Sequence, residues 1–345
     1  MPAKAAPDAA TLVQLLREVA QRWTELPNLT SVGVGYGITD GRRSKTLTIQ
    51  VTVRRKLSPA AVRNAGLDML PARVRAGGVS ARVDVVERAY RPSFVIVPEP
   101  PGSTPPLPPA SIPLQRRRRL ARVRPGVSVG HVSAAAGTIG AVVYDRRTGR
   151  PCVLSNAHVL AGLLQPDDVR VVQPGRFDDG DILNTALGTL LRSHVGLAGD
   201  CAVASIDTRL YDGTILELGV APRQLARVEI GDRVIKSGRS TGVTRGEVVR
   251  VGVVFAHDYG GTIGTRQIGA FEIGPVPGAS GRLCDEGDSG SLWMLEDPTA
   301  GTVTDIAAGL HVAQPDDPTG TLDHALACPI HSVLEKLDVS FVPPA

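Results

Sequence analysis

Valine-rich runs set the strongest limit on what this chain can fold into, and Val248-Val249-Arg250-Val251-Gly252-Val253-Val254 is the clearest of them. Branched side chains fit the pleated surface of a sheet and lose rotamer freedom in a helix, so such runs favour strands. The chain is 42% hydrophobic but only 3% aromatic, which leaves Val, Leu, Ile and Ala to build its core. Its 38 Gly and 27 Pro supply the many turns that an all-β barrel architecture requires. At 345 residues it exceeds one average domain and predicts two, one of them with a substantial core.

The amino-terminal part reads differently. Leu12, Leu15, Leu16, Val19, Ala20, Trp23 and Leu26 recur at helical spacing, which predicts a helix over 11–26 stopped by Pro27. Alternating apolar stretches at Ser31–Ile38 and Thr46–Val53 flank Asp40-Gly41, a hairpin signal. Ser58-Pro59 reads as a helix start and Val79–Val86 as a further strand, giving a small α+β domain over 1–97. It carries no constellation with assignable chemistry. Packing or homo-oligomerisation is its default role, with regulation or substrate recruitment as the alternative.

Residues 98–125 read as a linker, extended by the prolines between Pro98 and Pro113 and followed by Arg116, Arg117, Arg118 and Arg119. Those four arginines match the whole formal net charge of +4, so the rest of the chain is balanced. A chain-wide nucleic-acid footprint is therefore not supported. The run reads as a solvated linker, with a phosphate or acidic-partner patch or a processing site as alternatives. No apolar run approaches the roughly 18 residues of a membrane span. Met1-Pro2-Ala3-Lys4, with Asp8 close behind, lacks the apolar core of a secretory signal, so a cytoplasmic location is expected. Cys152, Cys201, Cys284 and Cys328 lack the paired spacing of a zinc site and read as reduced, buried thiols. No metal or organic cofactor is implied.

The chemistry concentrates in three stretches of residues 126–345. Gly287-Asp288-Ser289-Gly290-Ser291 places a serine between glycines, where the backbone can turn sharply and offer its amides to a substrate carbonyl. Cys152–Leu160 runs an apolar strand into a small-residue turn that offers His158. Gly199–Ile206 opens a short apolar strand with Asp200, a better orienting carboxylate than Asp207, which follows the strand toward water. The other histidines, apart from His311, default to surface or satisfied core positions. The order His158, Asp200, Ser289 is one of several on which the Ser-His-Asp mechanism has converged.

These stretches resemble the Ala-Ala-His, Asp-x-Ala-Leu and Gly-Asp-Ser-Gly-Gly motifs of the trypsin/chymotrypsin-fold serine peptidases. Lys236–Val248 resembles the Gly-x-Thr-Thr-Gly-x-x-x-Gly-x-Val hairpin of secreted bacterial members, with Ser240 for the first Thr and Ser291 for the last Gly of the serine motif. The trypsin-like proteins that include the plant narrow-leaf protein and many bacterial homologues are the nearest resemblance, since they also carry an extra amino-terminal domain. The resemblance implies a mainly β fold of two six-stranded antiparallel barrels, over about 126–225 and 226–340, beside the small α+β domain. It implies a serine endopeptidase acting on a protein or peptide through an acyl-enzyme. Ser289 would attack, His158 would take its proton, Asp200 would hold the imidazole, and the Gly287 and Ser289 amides would bind the oxyanion.

By the same resemblance Lys236 pairs with Asp288 to hold the serine turn, with Arg239 as its substitute. The primary pocket would be based at Leu283 and walled by Leu310, His311 and Val312. Leu283 is not the deep acid that cleavage after Lys or Arg needs. Gly309-Leu310-His311 resembles the Gly-Ile-His strand of glutamyl peptidases, so an acidic preference stands beside a small-to-medium apolar one. A protein that keeps the fold but binds peptides without cutting them is the alternative to the enzyme, and a nucleic-acid adaptor using Arg116–Arg119 is a third.

Overall fold

The computed structural model describes residues 6–20, 23, 26–39, 42–93, 112–132, 136–161, 169–178, 183–260, 263–276, 278, 282–317 and 323–344. Its valine-rich segment forms the longest strand, Gly242–Asp258, and Val303–Pro315 is the next longest among the described residues. Six strands neighbour one another in the order Arg233–Gly238, Leu292–Glu296, Val303–Pro315, Ala325–Pro329, Thr265–Pro275 and Gly242–Asp258. Arg233–Gly238 pairs back onto Gly242–Asp258, and this antiparallel contact closes the ring into a six-stranded barrel.

A second antiparallel sheet runs Val339–Ser340, Ala141–Asp145, Pro151–Ser155, Gly199–Ser205, Ala186–Gly196, Arg170–Val172, Ser128–His131 and Gly137–Thr138. It curls around Val129, Ile139, Val153, Leu160 and Val171. Leu154 and Cys201 of this sheet share one apolar cluster with Ile235, Met294 and Leu310 of the closed barrel. The helix Ile330–Leu337 adds Val333, Leu334 and Leu337 to that shared cluster. The chain therefore has the chymotrypsin-like double β-barrel fold, with an apolar interior shared by the two barrels.

The amino-terminal segment continues the sheet of the closed barrel. Leu29–Thr39 pairs antiparallel with Gly242–Asp258, placing Ser31 opposite Phe255 and Val34 opposite Val251. Arg42–Val53 pairs with Leu29–Thr39, and Val79–Glu87 runs parallel to Arg42–Val53. Asp40-Gly41 lies outside the described residues. The regular helix covers Ala9–Val19, capped by Asp8, whose carboxylate accepts from Thr11 N at 2.8 Å. It ends short of the expected Leu26 because tighter turns follow: Trp23 N donates to Ala20 O and Leu26 N to Trp23 O, each at 3.0 Å. Trp23 and Leu26 still pack on the helix's apolar cluster.

Of the expected proline-rich linker, residues 98–111 lie outside those described, and the arginine run differs from its solvated reading. Arg118 and Arg119 are exposed, but Arg116 is buried. Its guanidinium donates to Gly126 O (3.0 Å), Ser237 Oγ (2.9 Å) and Gly238 O (2.8 Å), and pairs with Glu217 at 2.8 Å. Carbonyls left open at Gly126, in a turn, and at Gly238, at the end of a strand, supply acceptors that a run of like charges does not reveal. All four cysteines are buried, unlinked thiols. Among the described residues no helix is long and apolar enough to cross a membrane.

Candidate active site

Asp200 opens the strand Gly199–Ser205 and His158 lies in the short helical turn Ala157–Leu160 that follows Pro151–Ser155. Antiparallel pairing of those two strands brings the turn over the carboxylate. His158 Nδ1 lies 2.5 Å from Asp200 Oδ2, while Ala157 N (2.6 Å) and His158 N (3.3 Å) donate to Oδ1. Tyr259 donates its hydroxyl to Oδ2 at 2.7 Å. Burial opposes ionisation of Asp200, but the His158 charge and these hydrogen bonds outweigh it and hold the carboxyl below its ordinary range. Asp207 is exposed, so the two candidate acids separate as their strand positions imply.

Ser289 sits in the turn between Gly287, with φ 95°, and Gly290, with φ 91°. Both angles lie where side chains with a Cβ are strained. At Gly290 a Cβ would also run into Ser155 Oγ and Thr138 O. The turn is fixed to the first barrel: Thr138 N donates to Ser289 O at 2.7 Å and Thr138 Oγ1 to Gly287 O at 2.8 Å. A Cβ on Gly137 would meet both Ser289 O and Val159, the neighbour of His158, so the serine and histidine turns flank the same glycine. Ser289 is fully buried and its hydroxyl donates to Val312 O at 3.5 Å.

The two amides expected to face an oxyanion converge on one oxygen. Gly287 N donates at 2.7 Å and Ser289 N at 3.1 Å to the carbonyl of Ser93. That segment arrives as the short strand Tyr90–Pro92, antiparallel to Val303–Pro315 with Pro92 opposite Ala313. Neither Ser93 nor Tyr259 is marked by a sequence motif.

Behind the turn, Asp288 is a hub. Lys236 Nζ donates to its Oδ2 at 3.1 Å, Thr241 Oγ1 at 2.6 Å and Asp285 N at 3.0 Å. Ser240 N and Thr241 N donate to Oδ1 at 2.9 and 3.1 Å. Burial alone would raise the Asp288 carboxyl, but the Lys236 ammonium and these donors hold it below its ordinary range. Arg239 is engaged elsewhere, with both Nε and Nη2 at 2.6 Å from the Asp178 carboxylate.

The structure divides the four expected pocket residues. Leu283 packs with Cys284, Phe271 and Trp293, whereas Leu310 and Val312 belong to the cluster shared between the barrels. Alternation along Val303–Pro315 sends side chains to opposite faces, so neighbours on that strand cannot all wall one pocket. His311 is linked to Leu283's cluster through Trp293, whose Nε1 donates to His311 Nδ1 at 3.5 Å. Burial first, then the Lys236 charge, pushes the His311 imidazole down to about 3. It is neutral at physiological pH and offers no cation to an acidic side chain. His257 is likewise pushed down to about 4, by burial and by His158.

No protein-family model and no curated protein matches the chain. Among solved structures it is similar to a glutamic acid-specific serine protease that uses a histidine triad in substrate binding, at 18% identity over 63% of this chain and 98% of that one, with a TM-score of 0.45. It is similar also to an α-lytic protease homologue, N4, at 18% identity over 64% and 100% with a TM-score of 0.46. The active form of the Rv3671c protease of M. tuberculosis is similar at 17% identity over 72% and 97%, with a TM-score of 0.33.

Proposed function

We propose that the protein is a serine endopeptidase. The observation that carries this reading is the convergence of the Gly287 and Ser289 amides on a single carbonyl oxygen, at 2.7 and 3.1 Å. Donors at that range, fixed by the backbone of a turn, stabilise the charge that develops on a carbonyl under attack. Ser289 lies on the same turn as the donors and is the attacking group. His158, oriented by Asp200 at 2.5 Å, takes the hydroxyl proton and passes it to the leaving amine. Asp200, kept ionised, stabilises the imidazolium that forms between those steps, and water then resolves the acyl-enzyme. Tyr259 positions the carboxylate by its bond to Oδ2.

Lys236 and Asp288 keep the donor turn in place. Substrates lie extended along Val303–Pro315, adding a strand to an existing sheet. A neutral, buried His311 and an apolar Leu283 favour a small or apolar side chain before the cut over an acidic one. The strand pairing alone would equally suit a protein that binds peptides without cutting them. Matched peptides with Ala, Val or Glu before the scissile bond separate the readings. Hydrolysis after Ala or Val that disappears in Ser289→Ala supports the peptidase, and binding without hydrolysis in both proteins overturns it.

A further inference from the structure

The Ser93 carbonyl oxygen accepts from both amides proposed to hold the oxyanion. Pro92 and Arg91 pair antiparallel with Ala313 and Gln314, and Ser93 N donates to Val312 O at 3.4 Å. Main-chain pairing of this kind is how an extended peptide is gripped along a sheet edge. Side chains upstream hold the strand in register. The Tyr90 hydroxyl donates to Glu272 Oε1 at 2.7 Å, Arg88 donates to the same oxygen, and Arg250 Nη1 donates to Oε2 at 2.8 Å. Arg91 pairs with Glu286, next to the donor turn. Ser93 itself is fully buried, and its hydroxyl has no hydrogen-bond partner among the described residues, so the position takes a small side chain and fixes it by no polar contact. Both amides that would hold an oxyanion are spent on this one oxygen.

We propose that the first substrate of Ser289 is the chain's own Ser93 carbonyl, so that the protein cleaves itself immediately after Ser93. The inference rests on the peptidase reading above. Ser289 Oγ bonds to the Ser93 carbonyl carbon and gives its proton to His158. The bond from that carbon to the following nitrogen breaks, and His158 delivers the proton to the departing amine. One water then adds to the ester, restoring the Ser289 hydroxyl and leaving Ser93 as a carboxylate. The released amine is the new amino terminus, Phe94 by sequence. A buried small residue before the cut matches the preference that Leu283 and His311 set.

The test follows the intact mass of the full chain, wild type and Ser289→Ala, from expression onward, with peptide hydrolysis measured on the same samples. The wild type should resolve into 1–93 and 94–345 with a first-order rate independent of protein concentration, and Ser289→Ala should remain one 345-residue chain. Ser93→Asp, which would force a charge into the same buried position, should slow the conversion by ~100-fold or more. A wild type that stays whole while hydrolysing peptides overturns the self-cleavage and leaves the peptidase reading standing. A wild type that stays whole and hydrolyses nothing overturns both. Cleavage at another bond, cleavage that persists in Ser289→Ala, or a rate that rises with concentration overturns the self-cleavage.

Discussion

Lys236→Met isolates the electrostatic support of the donor turn. Lys236 and Asp288 are both fully buried, and Lys236 is the only cation bonded to that carboxylate among the described residues. Without the ammonium, Asp288 keeps four donors, from Ser240, Thr241 and Asp285, but loses its counter-charge. Removing one partner of a buried pair costs about 3–5 kcal/mol, because the other charge stays buried. The pH dependence follows. In the native protein the depressed Asp288 carboxyl contributes stability above its unfolded value of 3.8 that is lost as pH falls through the folded one. In Lys236→Met burial dominates and raises the carboxyl, which then takes up a proton on acidification, so the variant's deficit is larger at pH 7.5 than at pH 5. Urea unfolding at the two pH values measures this, and Lys236→Met with Asp288→Asn should recover about 2 kcal/mol of the single variant's loss. A single-variant cost below about 1 kcal/mol at pH 7.5, or a double variant no better than the single, would refute the reasoning.

Three further outcomes can be checked separately. Tyr259→Phe removes one donor from Asp200 Oδ2 and should lower kcat by about tenfold with KM little changed, read from steady-state kinetics on a small peptide. Arg116→Ala should cost about 3 kcal/mol in urea unfolding because it strips Gly126 O, Ser237 Oγ and Gly238 O of their donor, whereas exposed Arg118→Ala should stay within about 0.5 kcal/mol of wild type. His311, pushed down to about 3, gives stability that is complete above its unfolded value of 6.5 and declines as pH falls toward the folded one. By pH 5 the loss from this residue is about 2 kcal/mol, and His311→Gln should flatten the pH dependence of unfolding by that amount.

Local signals made much of the fold and site legible. Valine runs and turn residues announced the strands, and the small-residue settings of His158 and Ser289 announced their turns, because each depends on neighbours within a few positions. The ion cluster of Arg88, Arg250 and Glu272 was not legible, since Arg88 and Glu272 meet across 184 residues of sequence. Ser93 was invisible for a different reason: what it contributes to the site is a main-chain carbonyl, which no residue type encodes. Arg116 looked like its three neighbours because burial is decided by where acceptor carbonyls lie in space. The resemblance puts Leu310 and Val312 in one pocket wall with His311, whereas both side chains pack in the interior shared by the barrels.

Reaction with a small fluorophosphonate, followed by mapping of the modified residue, addresses the peptidase claim at its chemical step. The expected result is one adduct per chain on Ser289 Oγ, absent from Ser289→Ala and slowed by about 10⁴-fold in Asp200→Asn, where the imidazole is held in the wrong tautomer. A wild-type chain that remains unmodified, or an adduct that persists at the same rate in Asp200→Asn, would contradict it.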